Sequence, residues 1–223
     1  CMVASSFAGA AFAAEGDGST PRNETLYFAG QQWGAINDWN PMSANSNNAM
    51  GIQQKDATRT LIYETLFMYN LLDNKMYPLL GTEYSWDDDN MSSMTVKLNP
   101  DAKWSDGTAV TAADVAATFD YNVKCQSSYG VEMTAYIESI TAVDDQTVTI
   151  KTVVGEDGKA VNQLMVQQML GKMYIMQKAY LETVEARCES PEAMKLDPMD
   201  DLVASGPYKP YYDDDQKVVF VRD

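Results

Sequence analysis

The stretch Leu98–Phe119, LNPDAKWSDGTAVTAADVAATF, holds a strand end, a tight turn and a helix start. Ser105-Asp106-Gly107 supplies the turn, because Asp bonds its own backbone and Gly accepts a positive φ without strain. Thr111 is a good N-cap. Asp114, three residues on, approximates the reciprocal partner of a capping box and sits near the positive end of the helix dipole. Val115, Phe119, Asn122 and Val123 continue one helical face. In this reading Trp104 is a core aromatic, and Asp106, Thr111 and Asp114 satisfy backbone groups. So read, the stretch is a joint; the alternative is a site.

Outward from the joint, strands and helices alternate. Upstream, Glu24–Gly30 (ETLYFAG) reads as a strand with Leu26 and Phe28 on one side, and residues 31–48 as a loop. Thr58–Asn70 carries apolar residues at 61, 62, 66 and 69, a spacing that predicts a helix. MYPLLGTEYSWDDDNMSSMTVKL reads as an extended segment, a strand, an acidic turn and a second strand at Met94–Leu98. Downstream, Ala135–Val153 alternates on both sides of Asp144-Asp145-Gln146, which predicts a hairpin. VNQLMVQQML and QKAYLETVEA read as helices, and GPYKPYYDDDQKVVFVRD as two strands about an acidic turn. The fold class is α+β, a mixed sheet built from antiparallel hairpins. The last strand is apolar throughout. A strand buried on both faces needs partners on either side, so the chain reads as a piece of a larger protein.

Composition narrows the chemistry. The 223 residues are 45% hydrophobic, enough for a substantial core. The net charge is −16, and the basic residues are scattered. That argues against nucleic acid and against an anionic membrane as partners, and suits a soluble, self-repelling surface. There is no histidine, which removes Ser-His-Asp and Cys-His catalysis and imidazole zinc sites. No phosphate loop, GxGxxG, GxSxG or CxxC is present. Asp87-Asp88-Asp89-Asn90 lacks the spacing and closing Glu of a calcium loop and reads as a solvated turn. No cofactor is implied. The fourteen methionines are read as core packing.

Met2–Ala14 is apolar and small, and Ala11-Phe12-Ala13 fits a signal-peptidase site. A rival reading makes Cys1 the lipid-bearing residue of a lipoprotein, and a third a buried helix. The first two place the protein outside the cytoplasm, where Cys125 and Cys188 either pair or stay as buried thiols.

The candidate binding segment is Ala29–Ser43, AGQQWGAINDWNPMS. Trp33 and Trp39 offer flat faces among Gln31, Gln32, Asn37, Asp38 and Asn40, whose amides and carboxylates give directional hydrogen bonds. Gly34 permits close backbone approach. Together these suit a polar, partly apolar solute such as a peptide or a sugar chain. The competing reading has both Trp side chains capping the core and the amides shaping turns.

The order of these motifs (WNPMS, IYETLF, YPLLGTEYSW, the joint, SITAVDDQTVTIKT and ASGPYKPYYDDDQKVVFVRD) resembles the family 5 extracellular solute-binding proteins, the receptors of peptide-type ABC importers. The resemblance runs from about Thr25 to Asp223. It implies the first lobe of a two-lobed periplasmic-binding-protein-like fold (type II, cluster C), with the second lobe absent from this chain. The division that follows makes 1–19 a signal remnant or tether, 20–48 and 154–223 parts of lobe I, and 49–153 an inserted α+β subdomain. The resemblance also implies that Gln31, Gln32, Trp33, Gly34, Trp39 and Asn40 line a cleft. That cleft takes an oligopeptide or an oligosaccharide, the peptide ranked narrowly ahead, and hands it to a membrane permease. The implied location is periplasmic or extracellular, with Cys1 a possible lipid anchor. The implied function is binding without catalysis. The readings ranked behind it are an extracellular scaffold or adhesion module, then a secreted glycosidase working through a carboxylate pair.

Overall fold

The computed structural model describes residues 36–43, 61–70, 72–214 and 217–222. The joint organises the largest part of it. Strand β3 (Gly81–Trp86), β4 (Ser93–Leu98), β5 (Ile137–Asp144) and β6 (Thr147–Thr152) form one antiparallel sheet in the order β3-β4-β6-β5. Alternation decides its faces. Met94, Val96 and Leu98 of β4 and Val148 and Ile150 of β6 point into the core, and Thr95, Lys97, Thr149 and Lys151 point the other way. Helix α1 (Ala112–Lys124) lies across the apolar face against β5 and β6.

Three short helices follow: α2 (Ser128–Met133), α3 (Gln163–Met169) and α4 (Lys178–Arg187). A 3-10 turn spans Pro191–Leu196. Two antiparallel hairpins stand apart from the sheet, β1 (Phe67–Asn70) with β2 (Lys75–Pro78) and β7 (Tyr208–Asp213) with β8 (Val218–Arg222). The α+β class with antiparallel hairpins is therefore the one observed, and the 135–153 hairpin, the two late helices and the closing strands stand where the pattern placed them. The strand expected at 24–30 lies outside the described residues.

The described residues form two apolar cores. The first joins the sheet to Trp104, Val115 and Phe119. The second gathers Trp39, Met42, Tyr63, Leu181, Val184 and Met194. Residues 173–176 run between them and alternate: Met173 and Ile175 enter the first, Tyr174 and Met176 the second. The methionines largely pack as expected, with Met42, Met94, Met133, Met194 and Met199 all below 3% exposure. Cys125 and Cys188 are both free thiols. Cys125 is buried with its Sγ 3.7 Å from Met194 Sδ, and burial pushes it up to about 11.

One expectation fails. The helix read over 58–70 is not there: residues 61–66 are irregular and 67–70 are strand β1. The carbonyls a helix would use internally are taken by distant segments. Ser205 N–H and Gly206 N–H donate to Ile62 O at 3.1 and 2.8 Å, Tyr208 N–H to Leu61 O at 3.0 Å, and Ile175 N–H to Glu64 O at 2.9 Å. Ile62, Tyr63, Thr65, Leu66 and Phe67 are all buried, so the segment buries both faces and needs no helical stripe.

Candidate functional site

The joint is held by one carboxylate. Asp114 is 5% exposed. Its Oδ2 accepts from Thr111 N–H (2.8 Å), Thr111 Oγ1 (3.0 Å) and Trp104 Nε1 (3.3 Å). Its Oδ1 accepts from Lys178 N–H at 2.8 Å, the first N–H of α4, whose own N-cap residue, Gln177, makes no side-chain cap. One anion thus serves the N-termini of two helices, where the dipoles favour negative charge. Gln177 instead donates to Asp106 Oδ2 (2.8 Å) and Thr108 Oγ1 (3.0 Å), tying α4 to the turn at Gly107, whose φ is +85°. Trp104 is buried at 2%. Asp106, Gly107 and Thr108 are exposed, but the polar side chains of the joint bond to one another and to backbone N–H groups, and the joint is structural.

The described half of the candidate binding loop, residues 36–43, is bolted to the second core. Trp39 N–H donates to Pro198 O at 2.7 Å, and its ring meets Phe220 of β8 edge-on with centroids 6.1 Å apart. Asn40 is fully buried. Its Nδ2 donates to Met194 O (2.7 Å) and Asp197 O (3.0 Å), and its Oδ1 accepts from Met42 N–H at 2.8 Å. The Asp38 carboxylate accepts from Asn40 N–H (3.1 Å) and Ser43 Oγ (2.9 Å). Trp39 and Asn40 were expected to touch solute. The structure places both inside, Trp39 at 5% exposure, with the Asn40 amide engaged by backbone groups more than 150 residues away. Gln31, Gln32, Trp33 and Gly34 lie outside the described residues.

An ion-pair network braces the same region. Arg187 donates to Asp197 through Nε (2.7 Å) and Nη2, and to Asp201 through Nη1 (2.7 Å) and Nη2 (3.0 Å). Tyr180 OH donates to Asp201 Oδ1 at 2.8 Å. The Arg187 hydrogen bonds hold Asp201 below the usual carboxylate range. Asp200 is raised, first by burial and then by Asp197 and Asp201. Among the described residues no three His, Cys, Asp or Glu side chains group as a metal site would.

Two residues that the sequence did not single out are Tyr63, which shares the second core with Trp39, and its neighbour Glu64. Tyr63 is completely buried, and its hydroxyl has no hydrogen-bond partner among the described residues. Burial, then Tyr180 and Asp201, raise it well above an ordinary tyrosine. Glu64 is half-buried, and burial pushes it up to about 7. Neither had a sequence signal, since both sat inside a stripe read as helical.

The profile described as bacterial extracellular solute-binding proteins, family 5 middle, matches residues 75–223. The chain belongs to that family. A relative from Agrobacterium fabrum named probable peptide-binding protein YejA is 26% identical over 195 residues, covering 85% of this chain and 28% of the relative. A periplasmic oligopeptide-binding protein of an ABC transporter from Thermotoga maritima, solved with mannohexaose bound, superposes with a TM-score of 0.73 at 27% identity. That match covers 92% of this chain and 34% of the other. The substrate-binding protein CtaP of an ABC transporter from Listeria monocytogenes gives a TM-score of 0.60 at 26% identity, covering 82% and 34%. The chain therefore spans about a third or less of the length of the relatives it matches. The fold expected from the motif order, a partial domain of an oligopeptide-binding-protein architecture, is the one these matches support, and family members are binding proteins found outside the cytoplasm.

Proposed function

We propose that this chain forms part of a receptor that captures an oligopeptide outside the cytoplasm and delivers it to an ABC permease. The observation that carries the reading is the family match over residues 75–223, seated on a fold that superposes along 92% of the chain on an oligopeptide-binding protein. A relative named for peptide binding favours a peptide. An oligosaccharide is the second reading, favoured by the mannohexaose held by the Thermotoga maritima protein.

In this reading Gln31, Gln32, Trp33 and Gly34 contact the solute. Trp39 and Asn40 hold their loop from behind, since both are already buried in the second core. The sheet and α1 belong to an inserted subdomain spanning 49–153, with 20–48 and 154–223 in the lobe that carries it. Solute closes the receptor only by binding the closed form more tightly than the open one. No bond is broken. Residues 1–19 are a signal remnant or tether, with Cys1 a lipid site in the tethered case.

The test is thermal unfolding of the protein at its full natural length against an oligopeptide library and a manno-oligosaccharide series. Binding at a hundred times Kd adds about 2.7 kcal/mol of stability. A concentration-dependent rise with peptides, lost in Trp33→Ala without unfolding, supports the reading. A rise with manno-oligosaccharides alone selects the second. No rise with either, in a folded sample, overturns both.

A further inference from the structure

The described half of the candidate binding loop, residues 36–43, rests on one short strap, residues 197–201. Trp39 N–H donates to Pro198 O at 2.7 Å, and Asn40 Nδ2 donates to Asp197 O at 3.0 Å. Asn40 Nδ2 also reaches Met194 O at 2.7 Å, the carbonyl to which Asp197 N–H donates at 3.3 Å. The strap is a poor platform by itself. It carries three carboxylates, Asp197, Asp200 and Asp201, and burial together with Asp197, Asp201 and Asp38 raises Asp200. Met199 at its centre is completely buried with φ +52°, in the left-handed region that side chains other than Gly seldom occupy.

One guanidinium holds it. Arg187, in the last turn of α4, donates to both oxygens of Asp197, through Nε (2.7 Å) and Nη2, and to both oxygens of Asp201, through Nη1 (2.7 Å) and Nη2 (3.0 Å). Among the described residues every ion pair of the strap is made with Arg187. Asp197 passes the grip on in two directions. Its Oδ1 accepts from Met199 N–H at 2.9 Å, which fixes the left-handed residue, and its carbonyl carries Asn40. The planar fork of arginine suits a grip on two carboxylates; a lysine brings the same charge on a single nitrogen.

We propose that Arg187 is a latch for the binding loop: its fork holds the strap on α4, and the strap and residues 36–43 open as one unit when the fork is lost. Calling that segment a binding loop rests on the receptor reading. The latch itself acts whatever the solute. Arg187 is a positioning residue, which reaches Asn40 through Asp197 and Trp39 through Pro198. Opening of this unit leaves the four-stranded sheet closed, because the ladders of the sheet do not pass through the strap.

The experiment is amide hydrogen exchange in the whole chain, for the unaltered protein and Arg187→Lys at one pH. Trp39 and Met199 report the unit. Leu98 and Thr152, whose N–H groups donate to Gln146 O and Ser92 O at 2.9 and 3.0 Å, report the sheet. Lysine forms helix about as readily as arginine and the Arg187 side chain is 34% exposed, so the variant keeps the fold. Protection is expected to fall roughly 10-fold at Trp39 and Met199 and to stay the same at Leu98 and Thr152. No loss at Trp39, a loss at Met199 alone, or an equal loss at all four amides overturns the proposal. Asn40→Ala, alone and in the Arg187→Lys background, gives a second reading. If strap and loop open together, the two substitutions fall short of additive at Trp39; strict additivity separates them and sinks the latch. No solute enters either measurement, so failure of the latch leaves the receptor reading standing, and failure of the receptor reading leaves the latch.

Discussion

Asp114→Asn is the sharpest perturbation the fold offers, because it changes one charge and almost no volume. The carboxylate accepts three hydrogen bonds at Oδ2 and one at Oδ1. An asparagine keeps its oxygen towards Thr111 and Trp104 only by turning its NH2 against Lys178 N–H. The reverse orientation sets the NH2 against three donors. The milder choice loses one charge-assisted bond, about 1.5–3 kcal/mol, and sets the Lys178 N–H at the start of α4 against another donor. Loss of the anion between two helix N-termini adds about 0.5–1 kcal/mol. The expected destabilisation is therefore about 2–4 kcal/mol, or roughly 5–15 °C in Tm for a chain of this size. Urea unfolding followed by circular dichroism measures it, and exchange of the Lys178 amide localises it. A loss below about 0.5 kcal/mol would show that the joint does not depend on its carboxylate, and the account of how α1 and α4 are fixed together would fall.

Three further substitutions probe other parts of the argument. Tyr63→Phe removes a buried hydroxyl with no partner among the described residues, so it should leave stability unchanged or raise it by up to about 1 kcal/mol in urea titrations; a loss larger than that would mean the hydroxyl is satisfied. Gly130→Ala places a Cβ 2.0 Å from Asn122 O and 2.4 Å from its carbonyl carbon, on the backbone of α1, so α2 must lift away at a cost of about 1–3 kcal/mol, read by thermal unfolding. Asn40→Ala unbinds Met194 O, Asp197 O and Met42 N–H together and should cost about 2–4 kcal/mol, with the Trp39 emission shifting to the red as its loop loosens from Phe220.

What was legible in the sequence was what the chain settles over short range. The sheet strands announce themselves by alternation, the Gly107 turn by its Asp-Gly pair, and α1 by Thr111 and Asp114, all within a few residues of the groups they serve. Asp114 shows where that legibility ends. Its bond to Thr111 N–H follows from capping chemistry, whereas its bond to Lys178 N–H spans 64 residues and has no local sign. The 61–66 segment failed for the same reason. Leu61, Ile62, Leu66 and Tyr69 fit a helical stripe, and only the donors at 175 and 205–208, far along the chain, decide that its carbonyls are used elsewhere.

Asn40 and Trp39 carry the same lesson to the candidate site. Asparagine and tryptophan in a Gly- and Pro-bearing loop have the chemistry of a solute contact: a flat apolar face and a directional amide. They have equally the chemistry of an anchor, and a sequence cannot distinguish the two, because the choice depends on whether the amide meets solvent or the backbone of another segment. Here it meets Met194 and Asp197. An anchor of this kind fixes residues 36–43 on the second core. The solute contacts proposed for Gln31 to Gly34 therefore make a demand of Asn40→Ala beyond lost stability. At a temperature where the variant is still folded, solute should dissociate faster, while Trp33→Ala should weaken binding with stability unchanged. Equal behaviour of the two variants in both measurements would mean that the contact proposed at Trp33 and the anchor at Asn40 are not separate.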